Sequence, residues 1–411
     1  MKWITADQLP SILARLPENP RIIASGNFAT PRTLLDLVDA QVSSYTLHML
    51  NAQPGIPDRE GVTYESCFVG AGMRSSPRLH YVPSRLSLVP VLYRKHLRPD
   101  AVLLHASAPR FDTVSLGIEV NVLPAAIEAA REVGAPVIVQ ANPRMPYTYG
   151  DAQIYDRDID YILEVDEPLT QMDARAPSPI AREIGGRIAA LVGSEATLQL
   201  GIGDIPDAVL HDLADHRGLR IWSETFSDGT LELERRGALD PEVPLTASFL
   251  MGSSDLYEWA SLNQRLRMLR TETANDPTQI ARQRRMTSIN AALEVDLFDQ
   301  ANASRVRGRI YSGFGGSVDF IVGALHSRDG ASFMALPSWH PKADVSTIVP
   351  RLTEPVTSFQ HSFVVTDQGV APMVGRSESE QARSLIDHAA HPDAREGLRR
   401  EAALMGLVPH G

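Results

Sequence analysis

The sequence predicts an α/β protein with two open sheets, each covered by helices. Short β-branched and apolar runs alternate with helical stretches along most of the chain. These runs are apolar without alternation, as strands of a parallel sheet covered on both faces are. The chain also has 411 residues, 43% of them hydrophobic, which is more than a single core usually organises. We therefore expect two α/β domains.

The N-terminal half contains four strongly predicted strands: RIIASG (21–26), AVLLHASA (101–108), APVIVQAN (135–142) and IDYILEVD (159–166). The stretch LPAAIEAAREVGA between two of them predicts a crossover helix, because Ala, Ile and Glu favour helix and Gly134 suits its C-terminal end. A helix between parallel strands is the βαβ arrangement, so this half is predicted to be an α/β layer fold.

A domain boundary is predicted in QMDARAPSPIAR (171–182), which carries two prolines and a change of composition. We therefore place one domain at residues 1–180 and the second at 181–411. Two halves of similar α/β character are compatible with an ancient duplication.

The second half repeats the alternation of helix and strand. It begins with a helix (178–192), a strand (196–200), a helix (206–216) and the strand LRIWSE (219–224). Later strands are predicted at VRGRIYSG (306–313), ASFMALPS (331–338) and HSFVVTDQ (361–368). The stretch 275–297 has mixed character and predicts no single element.

Composition excludes several classes of protein. Cys67 is the only cysteine, so an internal disulfide or a thiolate metal cluster is excluded, and we expect it to be a small buried hydrophobe. The net charge of −11 argues against a nucleic-acid surface. No apolar run approaches the ~20 residues of a membrane span. The N-terminus lacks the apolar region of a signal peptide, so we expect a cytoplasmic protein. The twelve histidines show no metal-ligand spacing, so no metal site is expected.

The most distinctive local pattern is LQLGIGDIPDAVL (198–210), in which a strand runs into Gly201, Ile202 and Gly203 and then into a helix that opens near Pro206. Such a turn presents backbone N–H groups to an anion or to a developing oxyanion. An ordinary strand–helix turn is the alternative. The third glycine of a dinucleotide-binding fingerprint is absent, so an NAD site is not indicated.

A carboxylate and a second glycine-rich loop follow. Glu224 comes after an apolar strand, at the edge of an open sheet where ligands usually bind. The loop YSGFGGSVDF (311–320) offers further backbone N–H groups. Each feature alone also fits a solvated strand end or a turn, but together they predict one site. No GxSxG nucleophile elbow is present, so a serine-hydrolase mechanism has no anchor.

Seven blocks, in order, resemble the acetyl-CoA hydrolase and transferase family, especially the 4-hydroxybutyrate CoA-transferase-like branch of the family I CoA-transferases. They are NPRMPYTYG (142–150), GIGDIPDAVL (201–210), SETFSDG (223–229), SFLMGSSDLY (248–257), SINAALEVDL (288–297), SGFGGSVDF (312–320) and VVTDQGVAPMVGRS (364–377). The resemblance spans nearly the whole chain. It implies two similar open α/β domains with the active site in their cleft, and a homodimer.

The resemblance implies a CoA-transferase that moves CoA between an acyl-CoA and a carboxylic acid, such as acetate or another short acid. Glu224 occupies the position of the family's nucleophile, which forms a glutamyl-CoA thioester. The resemblance assigns stabilisation of the oxyanion intermediates to Gly201, Gly203, Gly315 and Gly316. The implied CoA contacts are Ile202, Gly252, Ser253, Gly313, Phe314 and Ser317. CoA is a substrate, and no tightly bound cofactor is implied.

Two alternatives remain open at this stage. An acyl-CoA hydrolase would use the same glutamate, with water resolving the adduct, and a non-catalytic acyl-CoA-binding protein would keep the fold alone. The second is motivated by departures from the family pattern. Ser317 stands where relatives usually have Gln, Asp367 and Gln368 stand where they have Glu and Tyr, and Thr225 follows the nucleophile where an apolar residue is common.

Overall fold

The computed structural model describes residues 1–172, 176–356 and 360–407, and its two main sheets divide the chain between them. Residues 2–164 supply an eight-stranded sheet and residues 197–372 a six-stranded sheet. The predicted class of two α/β units with open, mainly parallel sheets is confirmed. Residues 173–175 of the predicted boundary segment lie outside the described residues.

The elements of the first half follow in chain order. Its strands are β1 Lys2–Trp3, β2 Arg21–Ala24, β3 Tyr45–His48, β4 Val62–Ser66, β5 Leu79–Tyr81, β6 Ala101–Ser107, β7 Thr113–Ser115, β8 Val137–Asn142, β9 Gln153–Tyr155 and β10 Tyr161–Glu164. Its helices are α1 Leu9–Leu13, α2 Arg32–Asp39, α3 Val89–Lys95 and α4 Leu123–Val133.

The first sheet has the strand order β1-β10-β8-β6-β2-β3-β4-β5, and every pairing in it is parallel. The four predicted strands are β2, β6, β8 and β10. All residues of β6 and β8 are buried, as unbroken apolar runs require. The predicted crossover helix is α4, and Gly134 ends it in the left-handed conformation, with φ 73°.

The second half contains shorter strands. They are β11 Thr197–Leu200, β12 Arg220–Ile221, β13 Thr225–Phe226, β14 Leu245–Ala247, β15 Phe249–Leu250, β16 Leu266–Met268, β17 Met286–Ala291, β18 Glu294–Asp296, β19 Ala301–Asn302, β20 Arg305–Val306, β21 Arg309–Ile310, β22 Ala331–Ala335, β23 Trp339–His340, β24 Val345–Ser346, β25 Ile348–Val349, β26 Phe363–Thr366 and β27 Gly369–Pro372. The helices are α5 Pro179–Ala189, α6 Asp204–Asp212, α7 Asp228–Arg235, α8 Ser254–Ala260, α9 Thr271–Ala274, α10 Pro277–Ala281, α11 Ser317–His326, α12 Glu378–Ser384 and α13 Pro392–Leu404.

The second sheet has the order β12-β11-β17-β22-β26-β27, parallel except for its last pair. Two local expectations differ from the structure. The stretch 306–313 does not enter the main sheet, because residues 305–310 close into the β20–β21 hairpin. The predicted strand 219–224 joins the main sheet only through β12, so Glu224 lies beyond the paired residues.

The two halves pack closely. The largest cluster of buried apolar side chains contains residues of both halves, so the division at 180/181 remains a prediction. Backbone hydrogen bonds cross the contact, from Val69 N to Ser312 O (2.7 Å) and from Leu86 N to Gly315 O (3.0 Å). The segments that follow β4 and precede α3 thus lie against the glycine-rich loop before α11. None of the helices in the described part of the chain is long and apolar enough to cross a bilayer.

Candidate active site

Glu224 lies between two short strands, and its backbone is fixed. Its carbonyl oxygen accepts hydrogen bonds from the N–H groups of Ser248 (2.7 Å) and Phe249 (2.9 Å). Two residues earlier, the Trp222 Nε1–H donates to the carbonyl of Ala274 (3.0 Å). The segment that carries the carboxylate is therefore tied both to the β14–β15 region and to the end of α9.

The Glu224 carboxyl group is surrounded by protein atoms, although the residue as a whole is partly exposed. This burial raises its pKa to about 7, because desolvation disfavours the charged form. A hydrogen bond from Asn275 opposes the shift, and the nearby Asp319 carboxylate adds to it. A perturbed pKa of this kind, in a carboxylate at a sheet edge, is typical of residues in binding and catalytic sites.

The second glycine loop approaches this carboxylate directly. A Cβ atom at Gly316 would overlap the Glu224 Oε1 atom and the Asn275 Nδ2 atom, so any other residue there would displace these side chains. Gly316 is also the N-cap of α11, whose N-terminal dipole favours negative charge nearby. The predicted meeting of Glu224 with the loop at Gly315 and Gly316 is the arrangement that the structure has.

Asn275 is a central residue that the sequence interpretation missed. Its Nδ2 group donates to Glu224 Oε1. The Asn275 side chain also lowers the pKa of Asp319. Asn275 lies in the mixed stretch 275–297, between α9 and α10. The only local signal was its place before Asp276 and Pro277, which is typical of a helix start and not of a site.

Asp319 is the second residue that was missed. Its buried carboxylate accepts from the Ser87 hydroxyl (2.8 Å) and from the Ser87 N–H (3.3 Å). The Arg85 guanidinium lies 3.6 Å from Asp319 Oδ1. Burial raises the pKa of Asp319 to about 6, against the effects of these partners. The first half of the chain thus contributes directly to the surroundings of Glu224.

The Gly201–Gly203 turn lies on the neighbouring strand. Strand β11 pairs with β12, and the Ser223 hydroxyl donates to the Leu200 carbonyl (3.1 Å), which places the turn beside the Glu224 segment. Open space surrounds the Cβ positions of both Gly201 and Gly203. Ile202 is 40% exposed and could contact a ligand from solvent.

The first turn of α6 after this glycine turn is acidic. It contains Asp204 and Asp207, and Asp204 accepts hydrogen bonds from the N–H and hydroxyl of Ser178. Burial raises the pKa of Asp207 to about 6, with Asp204 and Asp228 adding to the shift. These carboxylates make the helix N-terminus less favourable for a phosphate than its glycines alone indicated.

The other predicted CoA contacts lie in two places. Gly252 and Ser253 open α8, and Ser253 donates both its hydroxyl (2.7 Å) and its N–H (3.0 Å) to Asp228. The remaining three, Gly313, Phe314 and Ser317, line a small recess beside the loop before α11. Among the described residues, no group of three or more His, Cys, Asp and Glu side chains is arranged to hold a metal ion.

The residues that depart from the family pattern have partners within the chain. The Ser317 hydroxyl donates to the Phe314 carbonyl (3.2 Å). Asp367 accepts from the Ser338 N–H (2.6 Å) and hydroxyl (2.9 Å) and from the Gln368 side chain (2.8 Å). These hydrogen bonds outweigh burial and lower the pKa of Asp367. Thr225 is buried in β13 directly after Glu224.

Comparison with known proteins identifies the family. The model of the acetyl-CoA hydrolase/transferase C-terminal domain matches residues 252–402. The 4-hydroxybutyrate coenzyme A transferase of Clostridium kluyveri is 33% identical over an alignment that covers 97% of each chain. The crystal structure of RipA from Yersinia pestis matches with a TM-score of 0.91 and 28% identity, over 99% of this chain and 98% of that chain. The 4-hydroxybutyrate CoA-transferase of Porphyromonas gingivalis matches with a TM-score of 0.82 and 29% identity, over 98% of both chains. This chain therefore belongs to the acetyl-CoA hydrolase/transferase family and is a CoA-transferase by homology.

Proposed function

We propose that this protein transfers CoA from an acyl-CoA to a short carboxylic acid such as acetate, through a thioester on Glu224. The observation that carries the proposal is the contact of the Glu224 carboxylate with the Asn275 amide and with Gly316 at the start of α11. A carboxylate held in this way is a nucleophile for which no metal or redox group is needed.

The proposed reaction runs through four acyl transfers. A Glu224 oxygen attacks the thioester carbonyl, and CoA leaves as the thiolate with the formation of a mixed anhydride. The thiolate then attacks the glutamyl carbonyl, which releases the first acid as its carboxylate and leaves glutamyl-CoA. The second acid attacks this thioester and forms a new anhydride with release of the thiolate. Attack of the thiolate on the new acyl carbonyl gives the product acyl-CoA and frees Glu224, with no net proton transfer.

The contacts of Glu224 assign different roles to its two oxygens. Within the described residues, hydrogen bonding reaches the Glu224 side chain only at Oε1, from Asn275. Oε2 is therefore the oxygen that we assign to the attack. The tetrahedral intermediates carry an oxyanion, and we assign its stabilisation to backbone N–H groups at Gly315 and Gly316 and in the Gly201–Gly203 turn. Each such donor contributes about 3 kcal/mol in comparable sites.

CoA is proposed to bind mainly to the second half of the chain. The loops at Gly201–Gly203, Gly252–Ser253 and Gly313–Ser317 begin helices and provide N–H donors there. The exposed side chain of Ile202 and the half-buried ring of Phe314 add apolar contact for the pantetheine arm. The acidic first turn of α6 repels the CoA phosphates at the Gly201–Gly203 turn, so we place the uncharged pantetheine arm there.

Substitution of Glu224 by Gln tests the proposal. Gln keeps the shape and polarity of the side chain but removes the nucleophilic charge, so acyl-CoA binding should remain while transfer falls at least a thousandfold, about 4 kcal/mol of barrier. Incubation of the unmodified protein with acyl-CoA and then borohydride or hydroxylamine should mark Glu224 by mass. Near-normal transfer by Glu224→Gln, together with no adduct on Glu224, would falsify the mechanism.

The same assay separates transfer from hydrolysis. Because Glu224 is partly exposed, water can compete with the carboxylic acid as the acceptor. With acetyl-CoA as donor and a second short acid such as butyrate at millimolar concentration, we expect the new acyl-CoA to form faster than free CoA. Free CoA that appears at the same rate with and without the acceptor acid would instead assign the protein to the hydrolases.

A further inference from the structure

We propose that the hairpin of residues 305–310 binds the phosphate groups of CoA through the exposed guanidinium groups of Arg307 and Arg309. We refer to residues 305–310 as the arginine hairpin. This inference rests on the proposed function in taking CoA as the ligand. It assigns the end of the substrate that does not react to a surface beside the loop that contacts Glu224.

The arginine hairpin carries positive charge in a chain whose net charge is −11. Arg307 and Arg309 are exposed, and Arg305 donates to the Gly308 carbonyl (3.3 Å). Within the described part of the chain, no carboxylate pairs with any of the three guanidinium groups. The Glu354 carboxylate is near but accepts from the Gly308 N–H (2.5 Å). Such arginines suit phosphate groups, because a guanidinium group can bind two phosphate oxygens at once.

The base of the arginine hairpin adjoins the loop before α11. The Ser304 carbonyl accepts hydrogen bonds from the N–H groups of Tyr311 (2.7 Å) and Ser312 (3.3 Å). Ser304 also lines the small recess that contains three of the proposed CoA contacts, Gly313, Phe314 and Ser317. The pantetheine arm of CoA is long, so its phosphates must bind away from the reacting carboxylate. A hairpin next to this loop is placed for that end of the molecule.

The arginine hairpin is also a fixed element. The buried Asn302 side chain accepts from the Arg305 N–H (3.0 Å) and donates to the Arg305 carbonyl (2.9 Å). Arg307 and Gly308 have φ values of 50° and 77°, which the two central residues of a tight hairpin turn require. Asn is more usual than Arg at the first of these positions, so the turn itself does not call for an arginine. A backbone fixed in advance lowers the cost of ordering a ligand.

The other two proposed CoA loops are acidic. The first turn of α6 contains Asp204 and Asp207. The start of α8 lies beside Asp228, which accepts from Ser253, and its first turn contains Asp255. Negative charge at the start of a helix opposes the binding of phosphate there. Of the three loop regions, the one beside the arginine hairpin is therefore the most favourable for the CoA phosphates.

A second basic cluster lies at the far end of the second sheet. The sequence RQRR (282–285) precedes β17, and Arg328 precedes the neighbouring parallel strand β22. The Gly201–Gly203 turn and Glu224 instead follow the parallel strands β11 and β12, at their carboxyl ends. The exposed Arg282 and Arg328 are therefore remote from the proposed site and provide a matched control for charge.

The experiment combines Arg307→Asn with Arg309→Gln in the full-length protein. Asn suits the positive φ at position 307, so the turn should be kept. Transfer to butyrate is measured with acetyl-CoA and with acetyl-pantetheine, a donor without phosphate groups. We expect kcat/KM for acetyl-CoA to fall by at least about tenfold, and kcat/KM for acetyl-pantetheine to stay within about twofold.

The control combines Arg282→Gln with Arg328→Gln, which removes the same charge from two exposed positions. It should leave kcat/KM within about twofold for both donors. A binding measurement accompanies the kinetics, by calorimetric titration with adenosine 3′,5′-bisphosphate, which resembles the phosphorylated end of CoA. Its Kd should rise by at least about tenfold in the hairpin variant and not in the control.

The outcomes separate this inference from the proposed function. Equal changes in the hairpin variant and the control, or equal losses with the two donors, overturn the role of the arginine hairpin and leave Glu224 as the nucleophile. Weaker binding of the bisphosphate with an unchanged kcat/KM for acetyl-CoA would assign the hairpin to a free nucleotide and also overturn it. If the wild-type protein transfers no CoA, the proposed function fails, whereas loss of bisphosphate binding in the hairpin variant alone still supports the phosphate site.

Discussion

The two glycine loops of the second half look alike in sequence and differ in their surroundings. Each follows a strand or hairpin and opens a helix, α6 after Gly203 and α11 after Gly316. The Gly201–Gly203 turn borders open space and carries acidic residues in the next helical turn. The loop at Gly315–Gly316 is pressed against Glu224, Asn275 and the first half of the chain. Packing, and not the glycine pattern itself, thus determines which of the two turns contacts Glu224.

The largest difference between the loops should appear on adding one methyl group to each. Gly316→Ala would place Cβ on the Glu224 carboxylate and displace it, so we expect transfer to fall by about a hundredfold or more. Gly201→Ala keeps the backbone N–H and meets no atom, so its loss should be no more than several-fold. The measurement is kcat/KM for CoA transfer.

Gly397→Ala is the matched control for these two variants. Gly397 lies in α13, and its Cβ position is open. This substitution should leave transfer unchanged and favour the helix. Equal losses in Gly316→Ala and Gly201→Ala would remove the distinction between the loops.

A second difference concerns the carboxylates beside the two loops. In the proposed mechanism Glu224 must be ionised to attack, and burial raises its pKa to about 7, so the transfer rate should rise with pH through that value. Below it the rate should fall by about tenfold per pH unit. Asp207 beside the first loop has a pKa raised to about 6, but Asp207→Asn should leave the acid limb in place. An acid limb that shifts in Asp207→Asn would show that the carboxylate beside the Gly201–Gly203 turn, and not Glu224, controls the pH dependence of transfer.

The smallest expected difference is in stability. Gly203 has φ 123°, a conformation that side chains other than glycine rarely adopt, whereas Gly201 does not. Gly203→Ala should therefore lower the free energy of unfolding by about 1 kcal/mol or more, and Gly201→Ala by less. Urea titration of the two variants measures this directly, and a destabilisation that is larger in Gly201→Ala would contradict it.

The contact between the halves contains another buried carboxylate, Glu119, whose backbone forms a bridge with Phe249 of the second half. Glu119 is buried between Asn27 and Asn121, and burial raises its pKa to about 8. Since the folded state holds this proton more tightly than the unfolded state, the stabilisation is complete below the ordinary pKa of Glu and is lost as pH rises through about 8. Thermal unfolding between pH 6 and pH 9 should show this loss, and Glu119→Gln should flatten it. An equally steep loss in Glu119→Gln would assign it to another group.

Several features could be predicted because they depend on neighbouring residues. Unbroken apolar runs identified β2, β6, β8 and β10, and Gly134 marked the end of α4 through its backbone freedom. Glu224 and the glycine loops were singled out because they follow short apolar segments, where open α/β sheets carry their sites. The hairpin at 305–310 was mistaken for a single strand because a local apolar pattern does not identify the partner strand.

The sequence by itself therefore determined the α/β class, the order of most central strands and helices, and the family motifs around Glu224. Tertiary structure alone decided which residues surround Glu224. Asn275 lies 51 residues from Glu224, and Asp319 lies 232 residues from its partner Ser87. Such contacts leave no periodic signal in the chain. The pKa of Glu224 depends on burial and on a neighbouring charge, which exist only once both halves are packed together.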